Sequence, residues 1–421
     1  MASDTTAGKS ASGRWLLAGA AVLVQLALGA VYAWSVFVNP FRDQMGWNRT
    51  EAALPFIVTI GVLFIGTLIG GRIQDRIGPR PVVLAGGILY SVGVMLASFV
   101  ETSDQLWLLV LTYGLIAGVG LGAGYIVPVA MLVKWFPDKR GLITGIAVGG
   151  FGAGALITAP VANRLMDDND VAQVFLPLGI AYLIATVIGG AFFRNPPQDY
   201  RVAGFDPVKA KVVGTADSYT LAEALRTPEW YQLTAILALN VTAGIALISQ
   251  AGPAAQDITG VTAATAASIV GVLAVFNGGG RVFWGWVSDT IGRMRAFMLI
   301  FGIQVVCFLL LPIASAVAVF FVLGALVYLC YGGGFGTMPA TAADFFGPKN
   351  VGAVYGAMIV GWSIGGVVGP LAIAAIADAT DGFTVPFLII AGLALVSLAL
   401  PLTTKKPVER TEPAMARPAT A

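Results

Sequence analysis

Arg281 is the residue whose surroundings most clearly predict chemistry. It lies inside a long apolar run at 264–287, where the neighbouring side chains are apolar or small. An arginine inside a membrane-spanning helix costs roughly 2.5–3.5 kcal/mol on insertion scales, so such a residue needs an anionic partner. No Asp or Glu lies inside any of the long apolar runs. We therefore expect a substrate to supply the anion, because a planar guanidinium binds a carboxylate through two parallel hydrogen bonds.

Each of the polar candidates near this run has an alternative reading. The side chain of Arg281 could instead reach the membrane surface, about 9 Å away at 1.5 Å per residue. Asn277 lies one turn earlier on the same helix face and could hold the guanidinium or a substrate hydroxyl, or serve helix packing alone. Asp257, just past the apolar run at 230–250, is our candidate for accepting a coupling proton. Its alternative is a solvated loop charge.

The residue types that the chain lacks exclude several classes of protein. With no histidine in 421 residues, the Ser-His-Asp triad, His-ligated zinc sites and imidazole proton relays are excluded. Cys307 and Cys330 both lie in apolar runs, where we expect inert packing residues. Because no constellation of His, Asp or Glu lies within the apolar runs, we expect neither an enzyme nor a cofactor or metal site.

The composition predicts a protein whose solvent is mostly lipid. Hydrophobic residues make up 57% of the chain and charged residues only 11%, against roughly 25% charged residues in soluble domains. So few charges cannot coat soluble domains of this total length. The net charge of +2 provides no clustered positive excess, so we expect the lipid bilayer and not a nucleic acid as the large partner.

Twelve apolar runs are long enough to cross a bilayer, which takes about 20 residues. Twelve crossings return the chain to its starting side, so both termini should lie on one side of the membrane. The first run is too long for the apolar region of a signal peptide, and we expect it to be retained as a helix. The runs are 15–38, 52–72, 81–100, 106–133, 142–162, 171–193, 230–250, 264–287, 295–314, 316–343, 352–375 and 383–402.

The distribution of basic residues predicts which side carries the termini. Of the 24 basic residues, 20 fall on the side of the termini and three, Arg42, Arg49 and Arg164, fall on the other. Arg281 belongs to neither side. Because cytoplasmic loops carry the excess of Lys and Arg, both termini are predicted to be cytoplasmic.

The chain divides into two related halves. At an offset of about 210 residues, Asp75 matches Asp289 between similarly placed glycines, and Pro128 matches Pro339. Matched prolines indicate kinks at equivalent depths, which is typical of two halves that rock about a central cavity. The expected units are a cytoplasmic tail at 1–14, a six-helix bundle at 15–193, a cytoplasmic linker at 194–229, a second six-helix bundle at 230–402 and a cytoplasmic tail at 403–421.

Four segments carry a resemblance to a known family. They are residues 71–80, 134–141, 280–285 and 344–347, which read GRIQDRIGPR, KWFPDKRG, GRVFWG and DFFG. The first resembles the signature loop of the major facilitator superfamily. Together, the other three resemble the oxalate/formate antiporter family and its monocarboxylate-transporter relatives. The resemblance extends over nearly the whole chain and implies an all-α membrane protein of twelve transmembrane helices in two six-helix halves, which transports by alternating access.

The resemblance also implies site residues. Aromatic side chains around the substrate would be Tyr32, Tyr125, Phe151, Tyr331 and Phe335, although aromatic residues at helical spacing can also be packing residues. Acids beside arginines at cytoplasmic helix ends are suited to latching the two halves in the outward-facing state, with ordinary juxtamembrane charges as the alternative. The predicted latch residues are Asp75, Arg76, Arg80, Asp289 and Arg293.

Two positions depart from the family pattern. By this resemblance, Trp362 occupies the position at which oxalate exchangers carry a lysine for the second carboxylate. We include Trp362 among the substrate-binding residues. Asn277 stands where animal monocarboxylate transporters carry an aspartate implicated in proton coupling, so this side chain cannot carry the proton. One arginine balances one negative charge, and a dianion would leave about one charge uncompensated in a low-dielectric cavity. Charge counting therefore favours monocarboxylates.

We therefore predict a monomeric secondary active transporter of the bacterial inner membrane. Its expected substrates are small monocarboxylates such as lactate, pyruvate or formate, and protons are the expected coupling ion. Two alternatives stay open. One is a carboxylate anion exchanger of the oxalate:formate type, and the other is a carrier for a neutral solute or drug in which Arg281 is structural.

Overall fold

The protein is built from helices that follow the predicted order. The computed structural model describes residues 4–136, 140–197, 200, 202, 219–347 and 351–406, except for the side chains of some helical residues, Asp75 among them. Its described part contains no strand. The twelve apolar helices are α1 (Gly13–Ala33), α2 (Arg49–Gly71), α3 (Pro79–Phe99), α4 (Ser103–Leu132), α5 (Gly145–Met166), α6 (Phe175–Ala191), α7 (Pro228–Thr259), α8 (Ala263–Ile291), α9 (Arg293–Ile313), α10 (Val317–Phe346), α11 (Ala353–Thr380) and α12 (Thr384–Thr403).

Each apolar helix overlaps one of the twelve predicted runs. Eleven helices are long and apolar enough to cross a membrane, and α6 is an apolar helix of 17 residues. The predicted fold class is therefore confirmed. The predicted linker lies largely outside the described residues, as does the C-terminal tail from residue 407. The exact division into units consequently stays a prediction.

Several helices extend beyond their apolar part, and polar groups cap the start of α2. The helix of α2 continues to Ile77, and a separate helix, Ser35–Met45, follows α1. At the start of α2, the side chain of Asn48 accepts a hydrogen bond from the backbone of Glu51, and the Glu51 side chain accepts one from the backbone of Asn48. This reciprocal cap satisfies two donors that lack a partner within the helix.

Three helices are irregular beside residues that are predicted to bind substrate. The last turn of α1, Ala30–Ala33, is a 3₁₀ helix and contains Tyr32. The α5 helix is interrupted just after Phe151 and Gly152, and α11 is interrupted at Ile359, three residues before Trp362. Three of the expected substrate-binding residues therefore lie at or beside breaks in their helices, where the direction of the backbone changes.

Glycines bring α8 into close contact with both halves. Gly336 of α10 lies against the carbonyl oxygen of Arg281, and a Cβ at this position would collide with that oxygen. On another face of α8, Gly278 approaches the carbonyl oxygen of Gly149 in α5, where a Cβ would lie 2.6 Å from it. Small residues allow such backbone contact between membrane helices. Helix α8 thus packs closely on α10 of its own half and on α5 of the N-terminal half, and Arg281 lies at the junction of the halves.

The helix directions define two ends of the bundle. We call the end opposite to the termini the outer end, which the basic residues predict to be extracellular. The chain enters α1 from the side of the N-terminus, so α1, α7 and α11 run toward the outer end, whereas α2 and α8 run away from it. The N-terminus of α2 and the C-terminus of α11 consequently meet at the outer end.

Candidate functional site

The structure places Arg281 deep inside the bundle. Its side chain is 2% exposed, and it lies ten residues before Ile291, the last residue of α8. At 1.5 Å per residue the end of the helix is about 15 Å away. The alternative in which Arg281 reaches the membrane surface is therefore wrong, because α8 is longer than the predicted run and the side chain turns into the protein.

The guanidinium of Arg281 lies among aromatic side chains. Its Cζ atom is 4.7 Å from the centre of the Phe335 ring, which is a favourable distance for a cation over an aromatic face. Tyr125, Tyr32 and Tyr331 are close enough to interact with it electrostatically. Within the described part of the chain, however, none of the three guanidinium nitrogens has a hydrogen-bond partner of acceptable geometry.

Six aromatic side chains surround this arginine, and we call them the cage. Neighbouring ring centres are 4.8–5.9 Å apart along a closed path from Tyr32 through Phe151, Trp362, Phe335 and Tyr331 back to Tyr32. Tyr125 contacts two members, with its ring centre 4.9 Å from that of Phe151 and 5.2 Å from that of Trp362. These residues come from α1, α4, α5, α10 and α11. The structure therefore brings together every aromatic position that the sequence nominated.

A hydroxyl pair joins the two halves inside the cage. The hydroxyl oxygens of Tyr32 in α1 and Tyr331 in α10 are 2.8 Å apart, and either can donate the hydrogen bond. Both side chains are almost fully buried. Buried tyrosines need a partner for the hydroxyl, and here each hydroxyl supplies the partner of the other. A bound carboxylate could accept hydrogen bonds from both.

Asn277 lies one turn from Arg281 and is fully buried. Its side-chain oxygen lies close to α10, 3.2 Å from where a Cβ of Gly332 would be. Neither its amide nitrogen nor its amide oxygen has a partner among the described residues. Leaving a buried polar group unpaired costs about 1–3 kcal/mol. Asn277 and Arg281 together thus present five unpaired polar atoms, which a hydrogen-bonding ligand could satisfy.

Three buried amides support the cage, although sequence reasoning did not single them out. The side-chain nitrogen of Gln25 donates to the backbone carbonyl of Tyr125 at 3.3 Å, and that of Asn240 donates to the carbonyl of Tyr331 at 3.3 Å. Gln304 in turn donates to the side-chain oxygen of Asn240 at 3.1 Å. Amides are rare in otherwise apolar helices, and this was the signal that could have identified them.

The predicted latch residues form contacts within their own halves. Arg80 donates to the carbonyl oxygen of Ala191 in α6. Arg293 pairs with Asp289 at 2.6 Å and with Asp344 at 2.9 Å, all in the C-terminal half. The latch between halves was expected in an outward-facing state, and it stays a prediction.

The remaining nominated residues lie away from the cage or outside the description. Arg76 is exposed at the end of the α2 helix, and the side chain of Asp75 lies outside the described residues. Asp257 is exposed near the outer end of α7. Its predicted role in proton coupling is not tested by this position.

Comparison with known proteins identifies relatives over nearly the full length of the chain. The family model of the Major Facilitator Superfamily matches residues 17–328 and 234–421. An uncharacterized MFS-type transporter, YhjX of Escherichia coli, is 31% identical over 84% of this chain and 86% of its own length. The oxalate:formate antiporter of Oxalobacter formigenes is 30% identical over 92% of this chain and 90% of its own length. Monocarboxylate transporters of mammals are further relatives.

A solved structure shares the fold. It is a bacterial homologue of the human lysosomal transporter Spinster in an inward-facing and unoccupied conformation, and it matches with a TM-score of 0.70. The match covers 93% of this chain and 97% of that one at 15% sequence identity. The likeness therefore concerns the fold alone.

Proposed function

The chain belongs to the Major Facilitator Superfamily, and from that premise we propose that it carries small monocarboxylates such as lactate, pyruvate or formate by alternating access. Members of this family are transporters and not enzymes, and the chain is a multi-pass membrane protein. Arg281 serves as the anchor for the carboxylate. The observation that carries the proposal is the buried guanidinium, which the cage encloses and which has no hydrogen bond of acceptable geometry among the described residues.

The charge of the site supports a monoanionic substrate. The six aromatic side chains of the cage and Asn277 are uncharged, and Trp362 is fully buried and contacts both Tyr125 and Phe335. One guanidinium balances one carboxylate, and a second carboxylate would stand uncompensated in a medium of low dielectric constant. Asn277 and the tyrosine hydroxyls add donors that can orient the bound acid.

The same charge provides a mechanism for alternating access. An unoccupied site leaves Arg281 uncompensated, so closing the halves over it carries a penalty for burying a lone charge. A bound carboxylate neutralises the guanidinium and lowers that penalty. Substrate therefore lowers the free energy of the closed arrangement relative to the open ones, and this difference drives the switch.

The carrier is proposed to be a monomer of the inner membrane, with both termini in the cytoplasm. The proposed coupling is proton symport. Anion exchange is the second candidate. It is favoured by the name of the Oxalobacter relative and by the penalty that an uncompensated Arg281 imposes on the return of the unloaded carrier.

Uptake of labelled lactate by proteoliposomes tests the anchor. Arg281→Ala and Arg281→Lys should lose uptake, because alanine has no charge and lysine cannot form the paired hydrogen bonds. The matched control is Arg164→Ala, which removes an exposed arginine at the end of α5. Wild-type rates in Arg281→Ala would overturn the proposal, and competition by uncharged lactate analogues would favour the neutral-solute alternative.

Two further measurements test charge selectivity and coupling. Oxalate should compete weakly with labelled lactate, and competition equal to that of unlabelled lactate would contradict the argument from Trp362. An inward proton gradient should drive uptake into vesicles that contain no anion. Uptake that depends entirely on preloaded carboxylate would instead establish exchange.

A further inference from the structure

Asp378, which sequence reasoning did not nominate, joins the two halves at the outer end. It lies in the last turn of α11, and its carboxylate accepts three hydrogen bonds from the first turn of α2. The donors are the backbone N–H of Arg49 at 2.9 Å, the backbone N–H of Thr50 at 2.9 Å and the Thr50 hydroxyl at 3.0 Å. These two backbone groups have no acceptor within their own helix.

The contact is reciprocal. The side chain of Arg49 reaches back and donates from Nη1 to the carbonyl oxygen of Ala377, 3.2 Å away. Its guanidinium also lies 5.2 Å from the centre of the Phe383 ring, and the side chain is 7% exposed. An acid from one half thus occupies the positive end of α2, while a base from the other half occupies the negative end of α11. Both placements are favourable for helix dipoles.

A continuous seam connects this contact to the cage. Below Asp378, the side chains of Ala53, Ile57 and Ala374 form a small buried cluster between α2 and α11. Further along, the Ser363 hydroxyl donates to the carbonyl oxygen of Ile60 at 3.0 Å. Ser363 directly follows the cage residue Trp362. The seam therefore spans about 24 Å of α11 at 1.5 Å per residue, from the outer end to the substrate site.

We propose that Asp378, Arg49 and Thr50 form an outer clamp, which holds the outer end closed and must release before solute can reach the cage from that side. The clamp is suited to reversible use because every group in it sits at a helix terminus, where water can replace the partner once the halves separate. Its loss should favour the state that is open at the outer end. The inference depends on family membership and alternating access, and not on the identity of the substrate.

Thiol labelling of Ser35→Cys reports the opening. Ser35 is 1% exposed and lies three residues beyond Tyr32, on the outer side of the cage, where Gly252 of α7 packs against its carbonyl oxygen. The background carries Cys307→Ala and Cys330→Ala, which remove the two buried native thiols. A membrane-impermeant maleimide is added to sealed cells, where it reaches the outer end if that end is extracellular. The same reagent is added to inside-out vesicles, where it reaches the outer end if the protein has the opposite orientation. No substrate is required, so failure of this test is distinct from failure of the proposed function.

Asp378→Asn should raise the initial labelling rate about tenfold or more, because it removes a charge-assisted acceptor. Thr50→Val deletes one of the hydrogen bonds and should raise the rate about threefold. Glu51→Gln is the matched control, since Glu51 caps the same helix within its own half, and its rate should stay within about twofold of the parent.

Two results would overturn the outer clamp. One is a labelling rate equal to that of the parent in Asp378→Asn protein that elutes as the parent does on gel filtration. The other is an equal rise in Glu51→Gln, which would indicate general loosening of α2. Should Asp378→Asn fail to fold, Thr50→Val decides the question, and parental labelling in that variant would also reject the clamp.

Discussion

Each half of the chain contributes three aromatic rings to the cage, yet the charged side chain comes from the C-terminal half. The N-terminal half supplies Tyr32, Tyr125 and Phe151, whereas Arg281 and Asn277 both lie on α8 of the other half. The two halves therefore contribute unequal chemistry. Under the proposed alternating access, an anion bound to Arg281 can stay with the C-terminal half while the contacts to the N-terminal tyrosines break.

The strongest test of this inequality replaces the anchor by an apolar side chain of similar length. Arg281→Met should reduce lactate uptake at least about 100-fold, since charge-assisted hydrogen bonds to the carboxylate are lost. The same change should raise the melting temperature by about 1–3 °C, because it removes a buried guanidinium that has no hydrogen bond of acceptable geometry among the described residues. Uptake assays and thermal unfolding of purified protein measure the two effects.

Arg164→Met is the control for that experiment, because this arginine is exposed and lies in the N-terminal half. It should change neither quantity appreciably. A fall in melting temperature for Arg281→Met, with uptake of neutral solutes preserved, would show that Arg281 serves structure. The difference between the halves would then reflect helix packing and not substrate binding.

A second cation should enlarge the difference between the halves. Trp362→Lys places a positive charge on α11, next to Tyr125 and Phe335, and two cations can balance a dianion. The preference for oxalate over lactate should rise about tenfold or more, because an uncompensated charge in a low-dielectric site costs more than 1.4 kcal/mol. Competition assays measure this ratio. Trp362→Gln controls for loss of the ring, and an equal shift in that variant would assign the effect to size.

The sequence predicted the residues of the cage, but it did not predict the contacts of the outer clamp. Arg281 was evident because a charge in an apolar run stands out, and the motif resemblance placed the aromatic residues. The outer clamp was not evident, because Asp378 lies beyond the predicted run at 352–375 and its partners are more than 300 positions away in the chain. Neither hydropathy nor spacing reports which helix ends meet.

The breaks in the helices also escaped sequence analysis. Tyr32 was predicted within a continuous run, yet it lies in a 3₁₀ turn. Apolar composition measures whether a segment suits lipid, and it does not distinguish α from 3₁₀ geometry. The break depends on tertiary contact, since Gly29 packs against the carbonyl oxygen of Phe151 in α5. The sequence alone did not predict which helices pack against each other, so it could not predict this contact.

The amides that support the tyrosines should also differ between the halves. Asn240 bonds to the carbonyl of Tyr331 and to Gln304, whereas Gln25 bonds to the carbonyl of Tyr125. Asn240→Ala should therefore cost about 1–3 kcal/mol, because it leaves the Gln304 amide without its acceptor, and Gln25→Ala about 1 kcal/mol. Thermal unfolding ranks the two variants. Equal losses would show that the Gln304 bond contributes little.

The smallest expected effect concerns the hydroxyl pair, where the two halves contribute alike. Tyr32→Phe and Tyr331→Phe each remove one hydroxyl from a 2.8 Å contact and should raise the KM for lactate about two- to tenfold, since a neutral hydrogen bond contributes about 0.5–1.5 kcal/mol. If the hydroxyls act as a pair, the double variant should lose less than the sum of the single losses. Additive losses would mean that each hydroxyl meets the substrate independently. In that case the N-terminal half would bind the anion as well as enclose it. The two halves would then differ less in substrate binding than the location of Arg281 indicates.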